Sequence, residues 1–313
     1  MKRGLTVEEK IKRRATTKRL MKRNWVVYLF ILPALAYIII FNYVPLYGIQ
    51  LAFKDYSAKL GVWGSEWIGL YWFEMFITAP RFYTILWNTV SLSLYTLFAG
   101  FPIPIILALL LNCMRADKYK RLIQTVTYIP HFISTVVLVG MMSVFMNPRS
   151  GFITTLLYPF IGESYLMGTP ALFNDIYVWS GIWQSAGWGS IIYLAALSGV
   201  SPELHEAATI EGANRVKRIW YIDLPVIIPQ MMILLVLNCG SIMSVGFEKA
   251  YLMQNTLLGD AAEIISTYVY KLGLLQQKFE YSTAIGIFNN VINFTILIIA
   301  NKAAGLISGS SLW

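Results

Sequence analysis

The chain offers few residues that could carry out catalytic chemistry. It has two histidines, His131 and His205, and two cysteines, Cys113 and Cys239. Neither histidine has metal-ligand spacing to another His, Cys or carboxylate. The cysteines fall in or beside apolar runs far apart in sequence, which indicates small apolar fillers rather than a disulfide or metal pair. No Gly-rich phosphate loop of the Walker type occurs. The sequence therefore predicts a non-catalytic chain that binds no metal or cofactor and does not hydrolyse ATP itself.

One charged segment, residues 201–225, lies between two long apolar runs and is the best candidate for a binding element. Ser201, followed by proline, is typical of a helix start. Leu204–Glu211 favours helix, Gly212 is expected to break it, and Ala213–Ile222 can resume it at a new angle. We call residues 201–225 the elbow. A stiff helix–Gly–helix element suits docking to a partner, and the alternative is a capped connector helix without one.

The elbow resembles the EAA loop of binding-protein-dependent ABC importer permeases at six positions, namely Glu206, Ala207, Ala208, Gly212, Leu224 and Pro225. In that family the loop forms coupling helices that sit in a cleft of the cytoplasmic ATPase subunit. The resemblance implies that Glu206 pairs with a basic group of the ATPase and that the two alanines allow close helix contact. It also implies that Gly212 sets the elbow angle.

Composition indicates a membrane protein, because 57% of the residues are hydrophobic and only 13% are charged. Six runs without Asp, Glu, Lys or Arg reach the ~20 residues that a membrane-crossing helix needs. These runs are Asn24–Phe53, Phe82–Met114, Leu122–Pro148, Ile176–Pro202, Leu224–Phe247 and Tyr281–Asn301. The sequence thus predicts an all-α fold with six transmembrane helices in a permease domain, residues 25–313, after a basic cytoplasmic segment, residues 1–24. Pro130 is expected to kink the third run.

Basic residues predict the orientation. With both termini inside, the cytoplasmic side holds 18 of the 25 Lys and Arg, ten of them within Met1–Arg23. This orientation places the elbow in the cytoplasm, where an ATPase could reach it. The net charge of +9 is concentrated in the N-terminal segment. The basic segment is expected to lie on anionic lipid headgroups, so its charge requires no nucleic-acid partner.

Polar and aromatic residues inside the runs predict a substrate path. Amides in lipid are costly, so they should face other helices or a water-filled path, and interhelical hydrogen bonding is the alternative for each. Indole rings can stack on sugars but also form interfacial belts. The candidate path residues are Trp183, Gln184, Trp188, Asn238, Ser244 and Asn290. Glu248, just outside the fifth run, could contact either the solute or a binding protein. No ionisable group is expected near mid-membrane, which argues against ion-coupled transport and fits a neutral solute.

Further segments resemble the carbohydrate-uptake branch of these permeases, especially its LplB-like polysaccharide permeases. They include LAFKDYS at 51–57, YIPHFIS at 128–134 and GFEKAYLM at 246–253. The resemblance implies a type I ABC importer permease fold in a bacterial cell membrane and import of oligosaccharides or polysaccharide fragments. It implies an extracytoplasmic solute-binding protein, a second, different permease chain and two ATPase subunits that bind ATP and Mg. The alternatives are another neutral solute or an ion-coupled secondary transporter.

Overall fold

A computed structural model describes residue 20 and residues 22–114, 116–162 and 165–308. Most of the predicted basic segment and the C-terminal residues 309–313 lie outside the described residues. The described part is predominantly helical, with one small antiparallel hairpin in which strand β1, Lys54–Asp55, pairs with strand β2, Glu66–Trp67. The predicted all-α class is thus confirmed apart from this hairpin.

The α-helices are numbered here in chain order. They are α1 Trp25–Ile38, α2 Gly61–Gly64, α3 Tyr71–Ile77, α4 Phe82–Gly100, α5 Pro102–Asn112, α6 Asp117–Tyr128, α7 Thr135–Phe145, α8 Phe152–Ile161, α9 Phe173–Leu197, α10 Pro202–Ile210, α11 Arg215–Arg218, α12 Leu224–Gly240, α13 Phe247–Met253, α14 Ile265–Tyr270 and α15 Phe279–Ser308. Helical turns of other pitch are Ile39–Tyr43, Val44–Phe53, Ile129–Phe132, Leu166–Gly168, Pro170–Leu172, Ile219–Asp223, Gly259–Ala262 and Lys271–Leu275.

Four continuous helical segments among the described residues are long and apolar enough to cross a membrane. They are Trp25–Phe53, Phe82–Asn112, Arg215–Gly240 and Phe279–Leu306. A bent pair of helices raises this number to five if the pair counts as one span. The protein is therefore a multi-pass membrane protein, whereas the predicted number of six spans remains a prediction.

The third apolar run does not form one straight span, although no charged residue interrupts it. Pro130 lies in the tight turn Ile129–Phe132, and the axes before and after the break at 133–134 differ by 100°. The helical segment continues through Pro130 to Phe132, so the bend lies three residues beyond the proline at which the kink was expected. Proline removes a backbone donor and clashes with the preceding turn, and Ser134 then caps α7 by accepting from the Val137 N–H.

Helix α9, which contains most of the fourth apolar run, is the centre of the fold. It is 25 residues long but carries several serines and glycines, so it is less apolar than the four helices above. It packs against α4, α5, α6 and α12. Gly187 makes the contact with α6 possible, because a Cβ at this position would overlap the backbone carbonyl of Thr127. A helix surrounded on several sides can line a cavity between its neighbours.

Candidate functional site

The elbow has the predicted helix–Gly–helix form. Helix α10 begins directly after Ser201, whose side chain makes no capping hydrogen bond. Gly212 has a φ of +82°, in the left-handed region that disfavours residues with a Cβ. Asn214 then caps α11 by accepting a hydrogen bond from the Lys217 N–H at 2.9 Å. The second arm resumes as helix at Arg215, and only its regular α-helical part ends at Arg218.

The end of the elbow differs from the predicted loop. A widened helical turn, Ile219–Asp223, continues directly into α12, so Leu224 and Pro225 form the first turn of that helix rather than a separate joint. Pro225 follows this widened turn, in which the helical hydrogen-bond pattern is already shifted, and the missing proline N–H is tolerated there. The elbow and the following apolar helix are therefore mechanically one piece.

The six EAA-loop positions are open to contact to different degrees. Glu206, Ala207, Gly212 and Pro225 are exposed, while Ala208 and Leu224 are partly buried. Large apolar side chains are also exposed on this segment, with Ile210 at 87% and Tyr221 at 80% exposure. Such apolar exposure at a charged loop is typical of a surface that another protein covers.

The base of the elbow is tied to the helices above it. Asp223 is only 2% exposed, lies 3.4 Å from His205 Nε2 and accepts a hydrogen bond from Asn112 Nδ2 at 3.2 Å. The His205 side chain is only 26% exposed, because it turns toward this buried carboxylate. Sequence reasoning also missed Asp223; its position immediately before a long apolar run was the available signal.

A cavity of about 630 Å³ lies among α4, α5, α9, α12 and α13. This volume is within the range of small-molecule sites. Three of the predicted path residues, Gln184, Trp188 and Asn238, line it together. Its wall also contains serines, threonine, tyrosines and apolar side chains. This mixture can bind hydroxyl groups and stack against the apolar faces of a sugar ring.

Gln184 and Trp188 also hold the bent segment in place. The Gln184 Nε2 group donates to the Ile133 carbonyl at 2.7 Å, which satisfies a backbone acceptor at the break between the two helices. The Trp188 indole stacks on the His131 ring at 4.6 Å with an interplanar angle of 4°. His131 thus has a structural contact close to the bend.

The other four predicted path residues do not line this cavity. Trp183 lies in a separate, mostly apolar groove of about 430 Å³. Ser244, Glu248 and Asn290 are exposed, and Ser244 Oγ accepts from Asn293 Nδ2 at 3.0 Å. The structure therefore brings three of the seven predicted path residues together in the wall of one cavity.

Asn293, a neighbour of the predicted Asn290, is one of three buried asparagines on α15, together with Asn289 and Asn301. Its Oδ1 accepts from the Met243 N–H at 2.8 Å, and the Asn289 amide donates to the Met243 carbonyl at 3.3 Å. Both side chains are buried. They satisfy backbone groups where α12 has ended, which is the interhelical bonding considered as the alternative for these amides.

Lys249 is the residue in the cavity wall that sequence reasoning missed. It lies in α13, two positions after the end of the fifth apolar run, and is 8% exposed. Its Nζ donates to the Tyr177 carbonyl at 2.6 Å and lies 4.7 Å from the centre of the Tyr177 ring. Burial lowers the pKa of Lys249 to about 8, which leaves the ammonium mostly protonated at neutral pH. The prediction of no ionisable group near mid-membrane did not cover this residue, which follows the fifth apolar run and reaches the cavity wall from α13.

The arrangement of a central cavity, a broken helix and an exposed elbow is that of a transport permease. Residues 77–303 match the family of inner-membrane components of binding-protein-dependent transport systems. The chain belongs to this family and is an ABC transporter permease, as the EAA-loop resemblance predicted.

Curated relatives agree with this assignment. The chain is 43% identical to Protein LplB of Bacillus subtilis over 285 residues, which covers 91% of this chain and 90% of LplB. It is 42% identical to the polygalacturonan/rhamnogalacturonan transport system permease protein YteP of the same organism, over 95% of this chain and 92% of YteP. The predicted resemblance to LplB-like permeases is confirmed.

A solved structure has the same fold. A chain of a bacterial alginate ABC transporter, crystallised in complex with a periplasmic protein bound to an alginate pentasaccharide, superposes with a TM-score of 0.86 at 36% sequence identity. The match covers 94% of this chain and 99% of that chain. The predicted type I permease fold is thus confirmed.

Proposed function

We propose that this chain is the transmembrane subunit of an ATP-driven importer for oligosaccharides or polysaccharide fragments. The observation that carries the proposal is the cavity of about 630 Å³, in which two amides and an indole face a common space. The names of two relatives support a saccharide as the substrate. One is a polygalacturonan/rhamnogalacturonan transport system permease, and the other is a chain of an alginate transporter.

The proposed topology has six spans with both termini in the cytoplasm of a bacterial cell, across the cytoplasmic membrane. Helix α9 supplies the span that is less apolar than the others, and it packs against four other helices of the protein. The bent pair Asp117–Phe132 and Thr135–Phe145 supplies another. Residues 1–24 form the basic cytoplasmic segment, 25–313 the permease domain and 201–225 its cytoplasmic coupling loop. Reporter fusions at each loop would test this topology; an elbow found outside would contradict it.

The proposed partners are a second, homologous permease, two ATPase subunits and an extracytoplasmic solute-binding protein. The structure of a relative with its periplasmic protein supports the last of these. The ATPase subunits carry ATP and Mg, so this chain itself is non-catalytic. Exposed Ile210 and Tyr221 flank the EAA-loop residues and provide apolar contact area for an ATPase cleft.

Coupling would follow from the continuity of the elbow with α12. Movement of a docked ATPase shifts α10, and the contacts of His205 and Asn112 with Asp223 carry that shift to α12 and α5. Both helices line the cavity, so the shift changes its access. ATP binding would then favour one of two conformations by differential affinity. Glu206, Ala207, Ala208 and Gly212 would form the contact with the ATPase.

The experiment that tests this function is co-purification of the chain with its partner chains, followed by ATP hydrolysis in lipid nanodiscs. Binding protein loaded with members of an oligosaccharide panel is added. We expect a stable complex whose ATP hydrolysis rises with one class of saccharide. A folded chain that binds no ATPase, or a complex that no saccharide stimulates, would contradict the proposal.

A further inference from the structure

Lys249 puts a positive charge in the wall of the proposed transport cavity. The other described residues that line this cavity are uncharged. A lysine at 8% exposure is unusual, because charged side chains are almost never so deeply buried unless they are paired. The cost of removing an ammonium from water requires a compensating group or a function.

No carboxylate compensates this charge within the described residues. None of the ion pairs among them includes Lys249. Its two described contacts are the Tyr177 carbonyl and the Tyr177 ring, at 2.6 Å to the oxygen and 4.7 Å to the ring centre. These attract a cation but carry no net negative charge. An ammonium has three N–H donors, so others remain for a ligand.

The lysine is held in position by the packing around it. A Cβ at Gly181 would come within 3.1 Å of Nζ, so the glycine leaves room for the ammonium beside α9. The next residue, Ala250, is fully buried, which anchors α13 against the core. The Tyr177 hydroxyl donates to the Gly246 carbonyl at 3.2 Å and ties the two segments together.

A purely structural role does not account for a cation at this place. The Tyr177 carbonyl lies inside α9 and also accepts from the Ser180 hydroxyl at 3.3 Å, so it does not depend on a lysine for a hydrogen bond. An uncharged donor would serve at a smaller desolvation cost. Ser93 Oγ, in the same cavity wall, is buried without a hydrogen-bond partner among the described residues. The cavity thus holds both an unpaired cation and an unused hydroxyl.

We propose that Lys249 binds a carboxylate of the transported saccharide, so that this permease takes uronic-acid oligosaccharides in preference to neutral ones. The inference rests on the proposed function and refines its substrate class. Gln184 and Asn238 in the same cavity provide amides for sugar hydroxyls, and Trp188 provides a face for a sugar ring. The neutral solute expected from the sequence is replaced by an acidic one, because that expectation assumed an uncharged path.

The test compares two matched trisaccharides, trigalacturonate and its carboxyl-reduced, neutral counterpart. Uptake of each is measured in proteoliposomes with the complete transporter and its binding protein, for the wild type, Lys249→Met and Lys249→Arg. We expect Lys249→Met to lower trigalacturonate uptake at least about tenfold, as expected for loss of a hydrogen bond between charged groups. Uptake of the neutral sugar should change little, and Lys249→Arg should retain most acidic-sugar uptake.

A zero-length carbodiimide cross-link provides a readout independent of the binding protein's preference. Trigalacturonate bound in the cavity should form an amide with Lys249 that mass spectrometry locates, and Lys249→Arg should abolish it. The inference is overturned if Lys249→Met lowers uptake of both sugars equally or of neither, or if no adduct forms at Lys249. If neither trisaccharide is taken up nor stimulates ATP hydrolysis by the wild type, the proposed saccharide import fails instead.

Discussion

His205 Nε2 lies 3.4 Å from Asp223 Oδ1, and this contact joins the first helix of the elbow to the start of α12. Asp223 is almost fully buried and also accepts from Asn112 at the end of α5. One carboxylate therefore connects three helices at the base of the elbow. A buried polar group shared in this way is costly to leave unpaired, so its partners are expected to move with it.

The first prediction concerns this carboxylate. Asp223→Asn keeps an acceptor for Asn112 but removes the charge that faces His205. A movement of α10 should therefore be transmitted less completely to α12. We expect ATP hydrolysis to persist while saccharide transported per ATP falls roughly fivefold or more, the range of typical coupling energies. The matched control is Glu211→Gln, an exposed carboxylate on the same elbow. Equal transport-to-hydrolysis ratios in the two variants would remove Asp223 from the coupling path.

The second prediction concerns the elbow angle. Gly212 has a φ of +82°, where a Cβ costs about 1–2 kcal/mol. Gly212→Ala should therefore displace α11 and reduce coupling, and Gly212→Pro should abolish it. Gly212→Asn is the control, because asparagine tolerates left-handed backbone. Transport and ATP hydrolysis are measured together in nanodiscs and proteoliposomes. Coupling lost equally with asparagine and alanine would show that the side chain, not the backbone, is at fault.

The third prediction concerns Glu206, which is exposed on α10. If it pairs with a basic group of an ATPase, Glu206→Arg places like charges in contact. The permease should still reach the membrane, but co-purification with the ATPase should weaken markedly. The control is Glu203→Arg, also exposed on α10 but outside the EAA-loop positions. Undiminished ATPase binding by the Glu206 variant would argue against the pairing.

The fourth prediction concerns packing of α9 on α6. Gly187→Ala forces a methyl group into the Thr127 backbone, an overpacking that typically costs about 1–3 kcal/mol. We expect a lower midpoint temperature of thermal unfolding in detergent, as measured by fluorescence-detected size exclusion. Gly140→Ala on α7 is the control, since its Cβ meets nothing within 4 Å. That variant should be as stable as the wild type; a similar loss in both would point to a general effect of replacing helical glycines.

The fifth prediction separates two tryptophans. Trp188 lines the cavity, whereas Trp183 lies in a different groove. Trp188→Ala should raise the saccharide concentration for half-maximal uptake roughly tenfold, and Trp183→Ala should leave it nearly unchanged. Expression of both folded proteins is checked in parallel. The reverse order of effects would mean that the substrate path follows the groove rather than the cavity.

The elbow was predictable because its signals are local. A Ser-Pro helix start and a glycine break act within a few residues, and the structure has both, although Ser201 does not use its side chain. The length of the second arm was not predictable, because the segment that follows Arg218 continues as helix into an apolar run and has no stop signal.

Which residues line the cavity could be predicted only in part. Successive residues of a helix point in directions about 100° apart. Gln184 and Trp188 are four residues apart and therefore lie on one face of α9, whereas Trp183 lies on another. The direction of that face depends on neighbouring helices, and runs that are apolar all round do not specify it. Lys249 was missed because it follows an apolar run and reaches the cavity through the packing of α13 on α9.

Accumulation of a labelled oligosaccharide in proteoliposomes is the most direct test of the central claim. The complete transporter is reconstituted with its binding protein outside and ATP on the elbow side, without any ion gradient. We predict accumulation above the external concentration that requires both ATP and the binding protein and is lost in Gly212→Pro. Accumulation that needs an imposed ion gradient and proceeds without ATP would contradict the account and support an ion-coupled transporter.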